Sequence, residues 1–294
     1  MKKTALLSAF FSLALCHAAS AQTVTTIPKQ DFSQEFHDRL PENIRKAGKL
    51  ITVNNGSFPP YEIIEAGNTM SGASADLAKA LSELWGIPIE HATVAGLSST
   101  LSGIKAGRYH MAMGPVGDFK SRQESNDFVD WVQEYVIFAV QKGNPKNINS
   151  IDDICGKKIA VQSAGSAERV VKAQSEKCVA EGKAAADVHS FADQPSSILS
   201  VRSKRTDAFF SSQAPLTYFV EQAKGDLELA GIGKSNGFGD LFQGSVVPKG
   251  SELGLLMKDS IQLLMDNGTY QMIMKKWGLE NNMVSEVAVN KAKN

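Results

Sequence analysis

From Leu50 onward, short apolar runs alternate with stretches whose apolar positions recur every three or four residues. "KLITVNN" reads as a strand, broken by the turn residues of "GSFPP". "ADLAKALSELWG" places Leu77, Leu81, Leu84 and Trp85 on one helical face and stops at Gly86. "IPIEHATV" is a strand, "SSTLSGIKAG" a helix, and "YHMAMG" a strand that ends at the Gly/Pro-rich turn "GPVGDFKSR". A second set begins after "KGNPKN": a helix, the strand "KKIAVQS", the helix "SAERVVKAQSEKC", the strand "ADVHSF", another helix and the strand "DAFFSS". "ELGLLMKDSIQLLMDNGTYQMIMKKWGL" then puts Leu253, Leu256, Met257 and Leu264 on one face before an Asn-Gly break. Alternating strands and helices predict an α/β fold, and two successive sets predict two lobes.

The length of 294 residues and the 43% hydrophobic content suit two domains with sizeable cores. The 31 basic and 31 acidic side chains cancel, so composition gives no electrostatic case for nucleic acid or an anionic membrane. Five scattered histidines pair with no cysteine at ligand spacing, so neither a metal nor another cofactor is expected.

The N-terminus narrows the compartment. Lys2 and Lys3 precede "ALLSAFFSLAL", and "ASA" at Ala19–Ala21 supplies small residues for cleavage. That pattern predicts a signal peptide over 1–21, cut after Ala21. Its apolar run is too short to span a bilayer as a helix. Cys16 in "LALC" invites a lipoprotein reading, against which the bulky Leu15 argues, since a small residue is expected there. Removal of the leader leaves Cys155 and Cys178, an even pair that an oxidising compartment would join as a disulfide.

Ligands of α/β proteins gather where strands end and helices begin. Two such places carry suitable chemistry. The loop after "HMAMG" holds Arg122, whose guanidinium fits a carboxylate, and "VQSAGSAE" sets Ser163 and Ser166 at a helix start with free N–H groups. One from each lobe, they suit a small carboxylate.

Seven segments in register resemble the type II periplasmic solute-binding proteins of amino-acid ABC transporters, solute-binding protein family 3. They are "LPENIRKAGKLITVNNGSFPPYEI", "SGASADLAKALSELWGIPIE", "LSGIKAGRYHMAMG", "SRQESNDFVDW", "IDDICGKKIAVQSAGSAE", "RTDAFFSSQAP" and "LMDNGTYQMIMKKWGL". The resemblance implies two α/β lobes joined by two hinge crossings, near Tyr135–Ala139 and near Phe242–Ser245. Lobe one then comprises 22–136 plus 244–281, lobe two 137–243, and 282–294 forms a polar C-terminal tail. By position, Arg122 and Ser166 would hold the ligand α-carboxylate and Phe58 would lie against its side chain. Asn55 stands where relatives selecting basic ligands often have an acid.

Three departures from the family pattern bear on the ligand. Ser212, beside Ser211, replaces the aspartate that usually binds the ligand ammonium. Gly117 replaces a common Ser or Thr, and Ala73 leaves space where an aromatic is usual. Either Asp118 turns inward to meet the ammonium, or the ligand is a carboxylate without a free amine. The resemblance implies a monomeric periplasmic receptor that delivers its ligand to an ABC permease of the inner membrane, without chemistry. A sensory ligand-binding module would use the same cleft. Related folds include dehydratases of prephenate-like acids, but these need an acid or base in the cleft, and Ser211 and Ser212 leave the expected place empty.

Overall fold

The computed structural model describes residues 26–66 and 69–292, so the leader, its cleavage point and Cys16 lie outside the described residues. The first set of strands is β1 (Leu50–Asn54), the short strands β2 (Ser57–Phe58), β3 (Glu62–Ile64) and β4 (Met70–Ser71), then β5 (Ile89–Thr93), β6 (Ala112–Gly117) and β7 (Asn126–Glu134). The chain then makes β8 (Val136–Gln141), β9 (Lys158–Gln162), β10 (Asp187–Phe191), β11 (Ala208–Ser212) and β12 (Leu227–Ala230) before β13 (Leu241–Pro248) and β14 (Met283–Val289). In lobe one β1 lies parallel to β5 and bridges to Met111 at the start of β6, while β6, β13, β7 and β14 form an antiparallel sheet. Lobe two is one sheet in the order β10-β9-β11-β8-β12.

Helices cover both faces of each sheet, and the apolar stripes explain why. Helix Ala73–Trp85 buries Leu77, Leu81, Leu84 and Trp85 against helices Glu252–Asp266 and Thr269–Lys276. Burial of each such side chain contributes roughly 1.5–3 kcal/mol. The Trp85 indole N–H is not wasted there, since it donates to Ser260 Oγ at 2.9 Å. The break between the last two helices falls at Gly268, whose φ of 83° suits a residue without Cβ. In lobe two, Phe138 and Phe210 stack at 4.5 Å beneath helix Ser166–Ala180. A disulfide joins Cys155 to Cys178 of that helix, with Cα atoms 5.6 Å apart.

The first passage between lobes is Tyr135, the single residue between β7 and β8 and within the expected Tyr135–Ala139. The second lies within 231–240, upstream of the expected Phe242–Ser245, because β13 already pairs with β7 from Leu241. The expected polar tail is also structured. Residues Met283–Val289 form β14, which pairs antiparallel with β7 and buries Val284 and Val287. An uncovered β7 edge would expose a row of unpaired backbone groups, and β14 removes most of it.

Candidate functional site

The two lobes meet over a narrow cleft with a cavity volume of about 70 Å³, lined from both sides. Arg122 stands at its lobe-one rim. β6 ends at Gly117, and the turn through Phe119 leads into the short helix Lys120–Gln123 that carries the arginine. Arg122 Nη1 donates to Gly117 O at 2.7 Å, and Nη2 donates across the cleft to Ala164 O of lobe two, also at 2.7 Å. Burial and the nearby Arg169 lower the Arg122 pKa to about 10, with Asp118 opposing, so the guanidinium stays charged at neutral pH. Gly117 has no side chain for a local reason. A Cβ there would come 2.7 Å from the Phe119 ring and 3.3 Å from Arg122 Nη1.

Ser166 opens helix Ser166–Ala180 and lines the cleft opposite Arg122's loop, with Gly165 as the N-cap. Phe58 and Asn55 line it from lobe one, where Asn55 Oδ1 accepts from Ser57 N at 3.4 Å and Phe58 stacks on Tyr61 at 5.6 Å. Ser212 lines it from lobe two and accepts from Gln243 Nε2 at 3.2 Å, so its hydroxyl serves a bond between the lobes. Ser211 Oγ donates to Gln194 Oε1 at 3.2 Å.

Two expected residues lie elsewhere. Asp118 is buried away from the cleft, where Oδ1 accepts from Gln123 Nε2 at 2.7 Å and Oδ2 from Ala292 N at 2.8 Å. It also abuts Asp130, whose carboxyl is pushed up to about 8 by burial and by Asp118's charge. These partners engage both Asp118 oxygens, so it does not turn inward. Ser163 is solvent-exposed, because the alternation of β9 gives the cleft to Gln162 instead. Ala73 likewise leaves no gap in the cleft: it is fully buried in the lobe-one core.

Several cleft residues escaped the sequence reading. Asn54, Gln162, Gln194 and Gln243 line it, and their amides carry no spacing signal. Glu62 also lines it, buried at 7% exposure. Its carboxyl is pushed up to about 8 by burial alone. Its place in "FPPYEI" was visible, but which way the short β2–β3 hairpin turned it was not.

The sequence pattern of the bacterial extracellular solute-binding proteins, family 3, matches residues 50–280. An arginine-binding protein of Corynebacterium glutamicum is 27% identical over 87% of this chain and 83% of its own. The L-cystine-binding protein of Escherichia coli is 22% identical over 81% of this chain and 85% of its own. Among solved structures, an amino acid ABC transporter substrate-binding protein from Streptococcus pneumoniae, bound to L-arginine, superposes with a TM-score of 0.72. That alignment is 22% identical and covers 82% of this chain and 99% of the other.

Proposed function

The chain belongs to the bacterial extracellular solute-binding proteins, family 3, and on that premise we propose that it captures an amino acid or amino-acid derivative for ABC-transporter import. The observation that carries this reading is Arg122, a charged guanidinium at a cleft between two lobes, facing the helix start at Ser166. The ligand carboxylate takes its charge-assisted hydrogen bonds from Arg122 and from Ser166 and the free N–H groups of its helix. Ligand held by both lobes stabilises the closed arrangement, and an inner-membrane permease reads that shape. The mature receptor works as a periplasmic monomer after cleavage at Ala21. Relatives that bind arginine and cystine support an amino-acid ligand.

Replacing Arg122 by Ala tests it. The substitution should weaken amino-acid binding by about 2–5 kcal/mol, the range for truncating one partner of a buried charged pair. Calorimetry showing the Arg122→Ala protein within threefold of wild type would end the assignment. Glu62 gives the cleft one acid, which keeps a catalytic reading alive. Incubation with a prephenate-like cyclic acid separates the two: capture leaves it unchanged, whereas a dehydratase releases water and product.

A further inference from the structure

Two residues of the cleft lining carry buried polar atoms with no hydrogen-bond partner among the described residues. Asn54 is unpaired at both ends of its side chain, Oδ1 and Nδ2, and Gln243 is unpaired at Oε1. Neither is near the surface: Asn54 is 3% exposed and Gln243 4%. Buried polar groups are normally bonded, and one left without a partner costs free energy. Three such atoms on one narrow cavity therefore mark where a polar group of the ligand belongs. We propose that Asn54 and Gln243 select a ligand that carries, beyond its carboxylate, a neutral amide: a carboxamide or a ureido group. The proposal rests on the solute-capture reading above and narrows the class of solute taken.

The balance of donors and acceptors decides the class. The unpaired atoms are one amide nitrogen, which donates, and two carbonyl oxygens, which accept. A carboxamide is their complement, since its nitrogen has two N–H groups to give and its oxygen accepts from Asn54 Nδ2. A guanidinium or ammonium only donates, so it would leave Nδ2 unpaired and facing a cation. A carboxylate only accepts, so it would leave both carbonyl oxygens facing an anion. Other amides of the same cleft are not in this condition. Gln194 Nε2 donates to Gln162 Oε1 at 3.3 Å, and Gln194 Oε1 accepts from Ser211 Oγ at 3.2 Å.

The backbone fixes both amides relative to the carboxylate clamp. Asn54 is the last residue of β1. Gln243 lies on β13 and pairs with Gly117 of β6, whose carbonyl oxygen accepts from Arg122 Nη1. Gln243 Nε2 donates to Ser212 Oγ of lobe two, which leaves its oxygen as the free end. Because that bond joins the lobes, the Gln243 oxygen takes its place as the lobes come together. Recognition of the amide is thereby tied to closure rather than to first encounter.

Calorimetry on the full protein tests this with three pairs of nearly equal shape: L-asparagine and L-aspartate, L-glutamine and L-glutamate, L-citrulline and L-arginine. The first of each pair carries the neutral group and the second a charged counterpart, at three chain lengths. In at least one pair wild type should bind the neutral member at least about 30-fold more tightly, because a buried site built to bond both ends of an amide rejects the analogue that lacks one. Asn54→Asp keeps the shape but offers acceptors only, so it should reduce that preference by at least about tenfold. If the charged member binds within about threefold of its partner, or more tightly, in every pair, the proposal is overturned and solute capture stands. An Asn54→Asp protein that keeps the wild-type ratio also overturns it. Both members weakening together would place Asn54 at the head group all six probes share, and neither changing would place it outside the ligand's reach. The wild-type comparison needs no variant and decides the matter by itself if Asn54→Asp fails to fold. Failure to bind any of the six overturns both this selection and amino-acid capture.

Discussion

The guanidinium of Arg169, on lobe two, lies 4.7 Å from the centroid of the Phe119 ring, which belongs to the Arg122 loop of lobe one. Arg122 approaches the same ring at 5.3 Å, so Phe119 is held between two cations. The ring is also buried among lobe-two residues, including Val136 and Phe138. Its burial therefore depends on the lobes being together. Phe119→Ala should disfavour the closed arrangement by roughly 1.5–3 kcal/mol of lost apolar burial, plus about 0.5–2 kcal/mol of cation–π attraction. Ligand affinity should drop at least about tenfold. Small-angle scattering with saturating ligand should still reach the closed dimensions, at higher ligand concentration. Unchanged affinity would remove Phe119 as an interlobe contact.

Gly117→Ser probes the same contact from behind. The added Cβ would sit 2.7 Å from the Phe119 ring, so the ring must move and carry the Arg122 loop with it. Weaker ligand binding with little change in melting temperature is the expected pair of results. A variant that binds as wild type does would show that the loop absorbs the added atom.

Loss of the Cys155–Cys178 disulfide should act on lobe two alone. The bridge closes a segment of sequence separation 23, worth about 3 kcal/mol in the chain-entropy description. Reduction, or a double Cys→Ser variant, should lower the denaturant midpoint of lobe two while Trp131, buried in lobe one, reports its own transition unchanged. Mass spectrometry without reductant should recover one linked peptide pair. Two freely alkylated thiols would refute the bridge.

Stability should fall as pH rises from about 5 to about 8. Glu62 and Asp130 titrate at about 8 and Glu134 at about 7 in the folded protein, well above ordinary carboxyl values, with burial the leading cause in each. Over that window the folded state binds more protons than the unfolded one, so each group costs up to about 1.4 kcal/mol per pH unit. Asp127 acts oppositely: its bonds to Lys249, Asn290 and Gly250 lower its pKa, and that contribution is lost in acid. Thermal melts across pH 4–9 should peak near pH 5. Glu62→Gln should flatten the alkaline side. A melting temperature that climbs from pH 5 to pH 8 would contradict the assignment of these three groups as buried acids.

The alternation of strands and helices, the stripe through Leu77 and Leu84 and the turn that delivers Arg122 were all legible, because each depends on neighbours within a few residues. Asp118 was not. Its direction is set by Gln123 and by Ala292, a partner 174 positions away. Ser163 was misplaced for a smaller reason, since one step along β9 exchanges the cleft face for the solvent face. "MVSEVAV" passed for a tail because only Val284 and Val287 of β14 are buried, too few to stand out as a strand pattern. Glu62 was hidden by a two-residue strand whose orientation depends on packing against the rest of lobe one.

The return of β13 and β14 to the first sheet also fixes the order in which the molecule can mature. All five strands of the β8–β12 sheet lie in one uninterrupted stretch, 136–230, so that lobe has its partners as soon as it has emerged. The sheet of β6, β13, β7 and β14 is begun at residue 112 and cannot be closed until residue 289. Until then β7 has a bare edge and Asp118, behind the arginine loop, lacks the Ala292 amide. The lobe that carries Arg122 is therefore the later of the two to complete its sheet.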